Sequence, residues 1–100
     1  MSEFRLSPEA EVQLDGIWLR IARESGSIDT ASRIIDNITD RFWLLARHPF
    51  MGRQRDDLSP GFRSFPAGDY IIIHRVDKDE VVLILFVFHG NRDVESFFRQ

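Results

Sequence analysis

Apolar positions along this chain change their period from helical to extended about half-way along. Leu14, Ile17, Trp18, Ile21 and Ala22 recur at spacings of three and four, which puts them on one face of a helix. Ser7 supplies an N-cap hydroxyl before them, Pro8 suits the first helical position, and Glu9 and Glu11 favour the N-terminal dipole. Gly26 lies where such a helix stops, so the pattern predicts a helix from Pro8 to Ser25. A second start signal at Ser27 to Thr30 leads into Ala31, Ile34, Ile35, Ile38, Phe42 and Leu45, and His48-Pro49 ends the run. The few residues between the two helices predict an antiparallel hairpin with one stripe on each helix to bury.

From Phe50 to Gly61 the periodicity is lost, and Gly52, Pro60, Gly61 and the polar run Arg53 to Asp57 read as loop. Strand signals follow at Phe62 to Phe65, Asp69 to Val76 and Val81 to Phe88, separated by Pro66-Ala67-Gly68 and by Asp77-Lys78-Asp79-Glu80. Glu3 to Leu6 is short and extended and is expected to add an edge strand. The fold class is α+β: an N-terminal strand, a two-helix hairpin on a small, mostly antiparallel sheet, and a short C-terminal helix or tail over Val94 to Phe98. Residues 1–100 read as a single domain.

The last strand is apolar at every position, although a half-solvated antiparallel strand alternates. One set, Val82, Ile84, Phe86 and Phe88, or the other, Val81, Leu83, Leu85 and Val87, meets the helices; the pattern does not choose. The second face needs a cover, and three are open: the tail, a second copy, or a partner chain.

Composition narrows the function. The chain has no cysteine, which removes disulfides and thiolate chemistry and fits a reducing cytoplasm. The charged start MSEFRLSPEAE lacks the apolar stretch of a signal peptide, and Val81 to Phe88 is too short to cross a bilayer as a helix. Net charge is −3, against binding nucleic acid by broad phosphate neutralisation, so no direct sequence-specific DNA binding is expected. Of 13 basic residues only Lys78 is lysine; arginine suits planar hydrogen bonding, and the plain alternative is a high-GC genome that favours arginine codons. No phosphate loop or metal-spaced histidine cluster occurs, so neither metal nor cofactor is expected. The pairs Asp56-Asp57 and Asp77/Asp79 fall in loops, where turn chemistry explains them.

FRLSPEAEVQLDGIW, LLARHPFMGRQRDDL, GFRSFPAGDYIIIHRV and VVLILFVFHGNRD occur in that order, with HPxxG at His48 to Gly52 before Arg53 and HGxRD at His89 to Asp93. From end to end this resembles the ParE-type plasmid-stabilisation toxins of the RelE/ParE superfamily. The resemblance implies the fold already derived, a cognate ParD-like antitoxin in a hetero-oligomer, and growth arrest when the antitoxin is lost. ParE relatives poison DNA gyrase; RelE relatives cut messenger RNA on the ribosome.

A RelE-like nuclease must activate a 2′-hydroxyl and stabilise a pentacovalent phosphate, and Arg63, Arg75, His89 and Arg92 are the candidates for that chemistry. A lysine-rich helix and a C-terminal tyrosine, both found in such nucleases, are missing, so the reading favours a non-catalytic gyrase poison. Third comes an inactive module serving only operon autoregulation. Antitoxin contacts are expected at Trp18, Arg53, Arg55, Arg63, Leu83, Leu85 and Arg92, and target contacts at His89, Arg92, Phe97 and Phe98. Each has a structural alternative. Arg63 snorkels over the sheet edge or pairs with Asp69, Trp18, Phe42 and Trp43 pack as core and interface, and His89 to Asp93 forms a turn in which Asp93 caps the last helix.

Overall fold

The computed structural model describes residues 3–99. In chain order the elements are β1 (Phe4–Leu6), α1 (Pro8–Ser25), α2 (Ile28–Arg47), β2 (Arg53–Gln54), β3 (Arg63–Ala67), β4 (Tyr70–Val76), β5 (Val82–His89) and α3 (Gly90–Phe98). One five-stranded sheet runs β1-β5-β4-β3-β2, with β1 parallel to β5 and every other pair antiparallel. The two helices stand where the apolar spacing puts them. Ser7 Oγ accepts from the Ala10 amide at 3.0 Å and Ser27 Oγ from the Thr30 amide at 3.1 Å, so each helix begins on a side-chain cap.

The hairpin buries its stripes against one sheet face. Ile17 of α1 and Ile38, Phe42 and Leu45 of α2 meet Ala67, Tyr70, Ile72, Val82, Ile84 and Val87. Tyr70 adds a polar tie, accepting at its hydroxyl from the Arg20 guanidinium at 2.8 Å.

The all-apolar strand resolves differently from either simple alternation. Ile73 pairs with Phe86 but His74 pairs with Ile84, so Leu85 is an extra, bulged residue. The bulge shifts the phase: Val82, Ile84 and then Val87 face the hairpin, while Phe86 and Phe88 turn to the other face. Each of the two expected sets is therefore divided between the faces. Beyond β1 the outer edge of β5 would present open backbone groups. Ser7 covers it by donating from its amide to the Ile84 carbonyl (2.9 Å) and from its hydroxyl to the Leu85 carbonyl (2.6 Å); Gln13 Oε1 accepts from the Val87 amide at 2.7 Å.

Of the three open covers for the second face, the chain's own C-terminal helix is the one seen. Val94 is fully buried there with Ile73 and Phe88. Phe98 meets the rings of Phe86 at 5.6 Å and Phe62 at 6.1 Å, both edge-on, a geometry that places ring edges on π faces.

Three boundaries differ from expectation. The 50–61 loop contains β2, two residues paired with Ser64 and Arg63 and too few to show any alternation. Pro66 and Ala67 belong to β3 rather than to the turn; β2 reaches only Ser64, so Pro66 lies where β3 is an edge and a missing N–H costs no ladder bond. The helix α3 starts at Gly90 rather than Val94, and Asp93 sits in its first turn instead of capping it, since the N-cap position falls on His89 without a side-chain bond.

Candidate functional site

Alternation from the bulge outward decides which side chains share a surface. Phe4 and Leu6 pack into the hairpin core, so Arg5 between them faces away, in register with Leu83, which is in turn in register with Arg75. Arg53 joins the same face because its partner Ser64 lies between Arg63 and Phe65, and Phe65 packs with the hairpin core. The second face thus carries a row of Arg5, Leu83 and Arg75 beside α3, with both arginines exposed and Leu83 half-buried. Arg5 was not among the expected residues, although the apolar neighbours on either side of it in β1 give the signal. Arg92 is exposed on α3, and Phe97, 43% exposed, leaves part of its ring open while touching Phe86 and Phe88. Leu85 is the bulged residue and half-buried.

Other expected contacts lie elsewhere. Trp18 sits in the hairpin, donating from Nε1 to Ser32 Oγ at 3.3 Å, on the opposite side of the sheet from Leu83. Arg63 also faces the hairpin. Its guanidinium donates to the Phe50 carbonyl at 2.9 Å and lies 5.5 Å from the Phe50 ring centre. The snorkelling alternative describes this residue; Asp69 is not its partner. Arg55 is 7% exposed, with its Nε and Nη2 on the two carboxylate oxygens of Asp57 (3.1 Å each) and Nη1 on Asn91 Oδ1 (3.3 Å). The Arg55 guanidinium holds the Asp57 carboxyl below its usual range. Asp56 and Asp77 serve turns, accepting from the amides of Gly61 and of Asp79 and Val81 respectively.

The four nuclease candidates do not converge. Arg63 and Arg75 flank His74 from opposite faces, while His89 lies on the hairpin side beside the Tyr70 ring, 5.1 Å between centres. Arg63 is in register with His74 and His74 with Ile84, five residues before His89. At ~3.3 Å per residue the two are on the order of 15 Å apart along the sheet. Arg92 projects from α3. Arg92, in the first turn of α3, is three residues from His89, so these two share one end of the sheet while Arg63 and Arg75 stand at the other.

His74 is the one histidine removed from solvent, fully buried, with neither ring nitrogen at hydrogen-bonding geometry to a partner. Gly52 leans on it: a Cβ there would come 2.7 Å from the Ser64 carbonyl oxygen and 3.2 Å from His74 Cε1. Burial lowers the His74 pKa from 6.5 to about 4, the adjacent Arg63 charge pushes the same way, and the Met51 backbone nearby offsets only part. The ring is a neutral piece of core at ordinary pH. Among the described residues no cluster of three or more histidines and carboxylates could hold a metal, and no helix is long and apolar enough to cross a membrane.

Comparison with known proteins identifies the family and the fold. The model of the ParE toxin of type II toxin-antitoxin systems, parDE, matches residues 4–94, from β1 into α3. Toxin ParE1 of Mycobacterium tuberculosis is 28% identical over 94% of this chain and 95% of its own length. Toxin ParE3 of Caulobacter vibrioides is 30% identical over 71% of this chain and 70% of its own. In fold, the chromosomal ParDE system of P. aeruginosa superposes with a TM-score of 0.77 at 20% identity, covering 90% of this chain and 97% of that one. The RelBE2 toxin-antitoxin complex of Mycobacterium tuberculosis superposes at 0.65 and 23%, covering 88% and 96%. With the family's pattern running from the first strand to the last helix, this chain belongs to the ParE toxins of type II toxin-antitoxin systems.

Proposed function

We propose that the protein arrests growth by binding rather than by chemistry: it inhibits DNA gyrase and is neutralised by a ParD-like antitoxin. One observation carries the choice between binding and cleavage. The residues a messenger-RNA nuclease would need lie on two faces and at two ends of the sheet, whereas the Arg5–Leu83–Arg75 row lies on the sheet face that α3 packs against, with both arginines exposed. Arginine and aromatic anchors suit protein recognition, because a planar fork and a rigid ring lose little freedom on binding.

On this reading the antitoxin covers the sheet row through Arg53, Leu83, Leu85 and Arg92, with acidic side chains meeting the guanidiniums. Trp18 joins that contact only if the antitoxin also reaches round to the hairpin. Arg63, bonded to the Phe50 carbonyl, contributes through shape, whereas Arg55, bonded to Asp57 and Asn91, makes no direct antitoxin contact. Arg92, Phe97 and Phe98 make the target surface on α3, Phe98 mainly by seating Phe97, and His89, on the hairpin side, joins it only if the target reaches round the end of the sheet. The P. aeruginosa ParDE and RelBE2 structures, both toxin-antitoxin systems, support an antitoxin partner for a chain of this fold.

The test is a supercoiling assay with purified gyrase and the refolded, antitoxin-free chain, scoring inhibition and trapped cleaved DNA. Inhibition relieved by antitoxin is expected. A chain that binds antitoxin and leaves gyrase untouched refutes the target assignment, and ribosomes programmed with messenger RNA become the next substrate to try.

A further inference from the structure

The helix α3 has few anchors of its own. It begins on His89 without a side-chain cap and enters through Gly90 at a φ of +79°, a conformation open to glycine at little cost. Its one fully buried residue is Val94; Phe97 and Phe98 lean on other phenylalanine rings. Such ring contacts supply area, but they tolerate small slides and rotations because dispersion has little directionality. Something directional has to set the angle at which Phe97 and Arg92 are presented.

A chain of four side chains does so. Asp57 grips the Arg55 guanidinium with both oxygens, the remaining Nη1 donates to Asn91 Oδ1, and Asn91 Nδ2 donates to Glu95 Oε1 at 2.9 Å, one turn further along α3. We propose that Arg55 is a positioning residue: its buried guanidinium, fixed by Asp57, clamps the first turn of α3 through Asn91 and so sets the attitude of the surface that meets the target. Arg55 is thereby removed from the antitoxin contacts. A lysine could supply the charge but not the fork, since three donors must point in fixed directions in one plane. The backbone of Arg55 is itself anchored, donating to the Phe62 carbonyl at 2.8 Å, so the clamp is tied to the ring cluster under the same helix.

The inference rests on α3 being the target surface, and the experiment separates the two. Asn91→Ala, at an exposed position where folding is not at stake, and Arg55→Lys are each compared with the native chain in three measurements: antitoxin affinity, the concentration that half-inhibits gyrase, and amide exchange by residue. Each variant is expected to keep antitoxin affinity within about twofold. Exchange over 92–98 is expected to be about tenfold faster and the inhibitory concentration about tenfold higher, as for the loss of one charge-assisted hydrogen bond. The double variant is expected to be no worse than either single one, because both break one chain. Unchanged exchange in α3 overturns the clamp. Faster exchange with undiminished inhibition reduces it to a structural tie, and full activity of Arg55→Lys removes the fork from the argument. If the native chain does not inhibit gyrase, the target reading falls, and exchange alone decides whether Arg55 holds α3.

Discussion

Replacing His74 by leucine tests whether a neutral buried imidazole sets the acid limit of this fold. The side chain is fully buried and its pKa falls from 6.5 to about 4. Above pH 6.5 the ring is neutral in folded and unfolded chains alike and titration contributes nothing. Between pH 6.5 and 4 the unfolded chain takes up a proton that the folded one refuses, so stability falls as pH falls. Linkage gives a loss of about 2 kcal/mol by pH 5 and a limit of about 3 kcal/mol below pH 4. Leucine has a similar volume and no titratable group, so its chain should lack this component. At pH 7.5 the variant is expected to be as stable as the native protein or more so, since two unsatisfied buried nitrogens disappear, each worth about 1 kcal/mol or more. The assay is urea unfolding followed by the fluorescence of Trp18 and Trp43 from pH 7.5 to 5, native against His74→Leu. Carboxylates titrate in both chains, so only the difference counts. Parallel stability curves would refute the reasoning; a gap widening by about 2 kcal/mol is the expected result.

Further outcomes follow from particular contacts. Gly52→Ala puts a Cβ 2.7 Å from a backbone oxygen at a φ of +100° and should cost about 2–4 kcal/mol, lowering the melting temperature by about 10 °C or more. A native-like melt would contradict it. Ser7→Ala removes both the α1 cap and the bond to the Leu85 carbonyl and should cost about 1–2 kcal/mol by chemical denaturation, with Ser7→Asp recovering only the cap. Arg75→Glu, at an exposed position in the sheet row, should leave the melting temperature unchanged and weaken antitoxin binding about tenfold or more by calorimetry. Equal affinity would take that row out of the antitoxin surface.

The helices were readable because their signals are local. A serine cap, a proline and a 3,4 spacing lie within one or two turns of each other, as at Ser7 and Ser27. The face assignment of β5 was not readable, because a strand apolar at every position offers no alternation for a bulge at Leu85 to interrupt. Without that phase, Phe86 and Val87 cannot be sent to opposite faces, and the row beside α3 cannot be assembled. The sheet-edge bond of Ser7 and the roles of Gln13 and Asn91 are hidden for another reason: each is a hydrogen bond to a residue more than 35 positions away. Arg55 and Arg63 look alike in sequence, and only the register of β2 on β3 puts them on opposite sides of the sheet.

The parallel pairing of β1 with β5 also governs when the molecule can exist. Phe4 meets Val82 and Ser7 meets Leu85, contacts that span 78 residues, so the sheet closes only after nearly all of the chain has been made. Non-local closure of this kind is slow, since the intervening loop must give up its freedom before the contact returns anything. During synthesis the hairpin α1–α2 emerges first, with its apolar stripes and no sheet to cover them. A toxin wired in this order stays incomplete on the ribosome, leaving an interval in which an antitoxin already present can meet it as it folds.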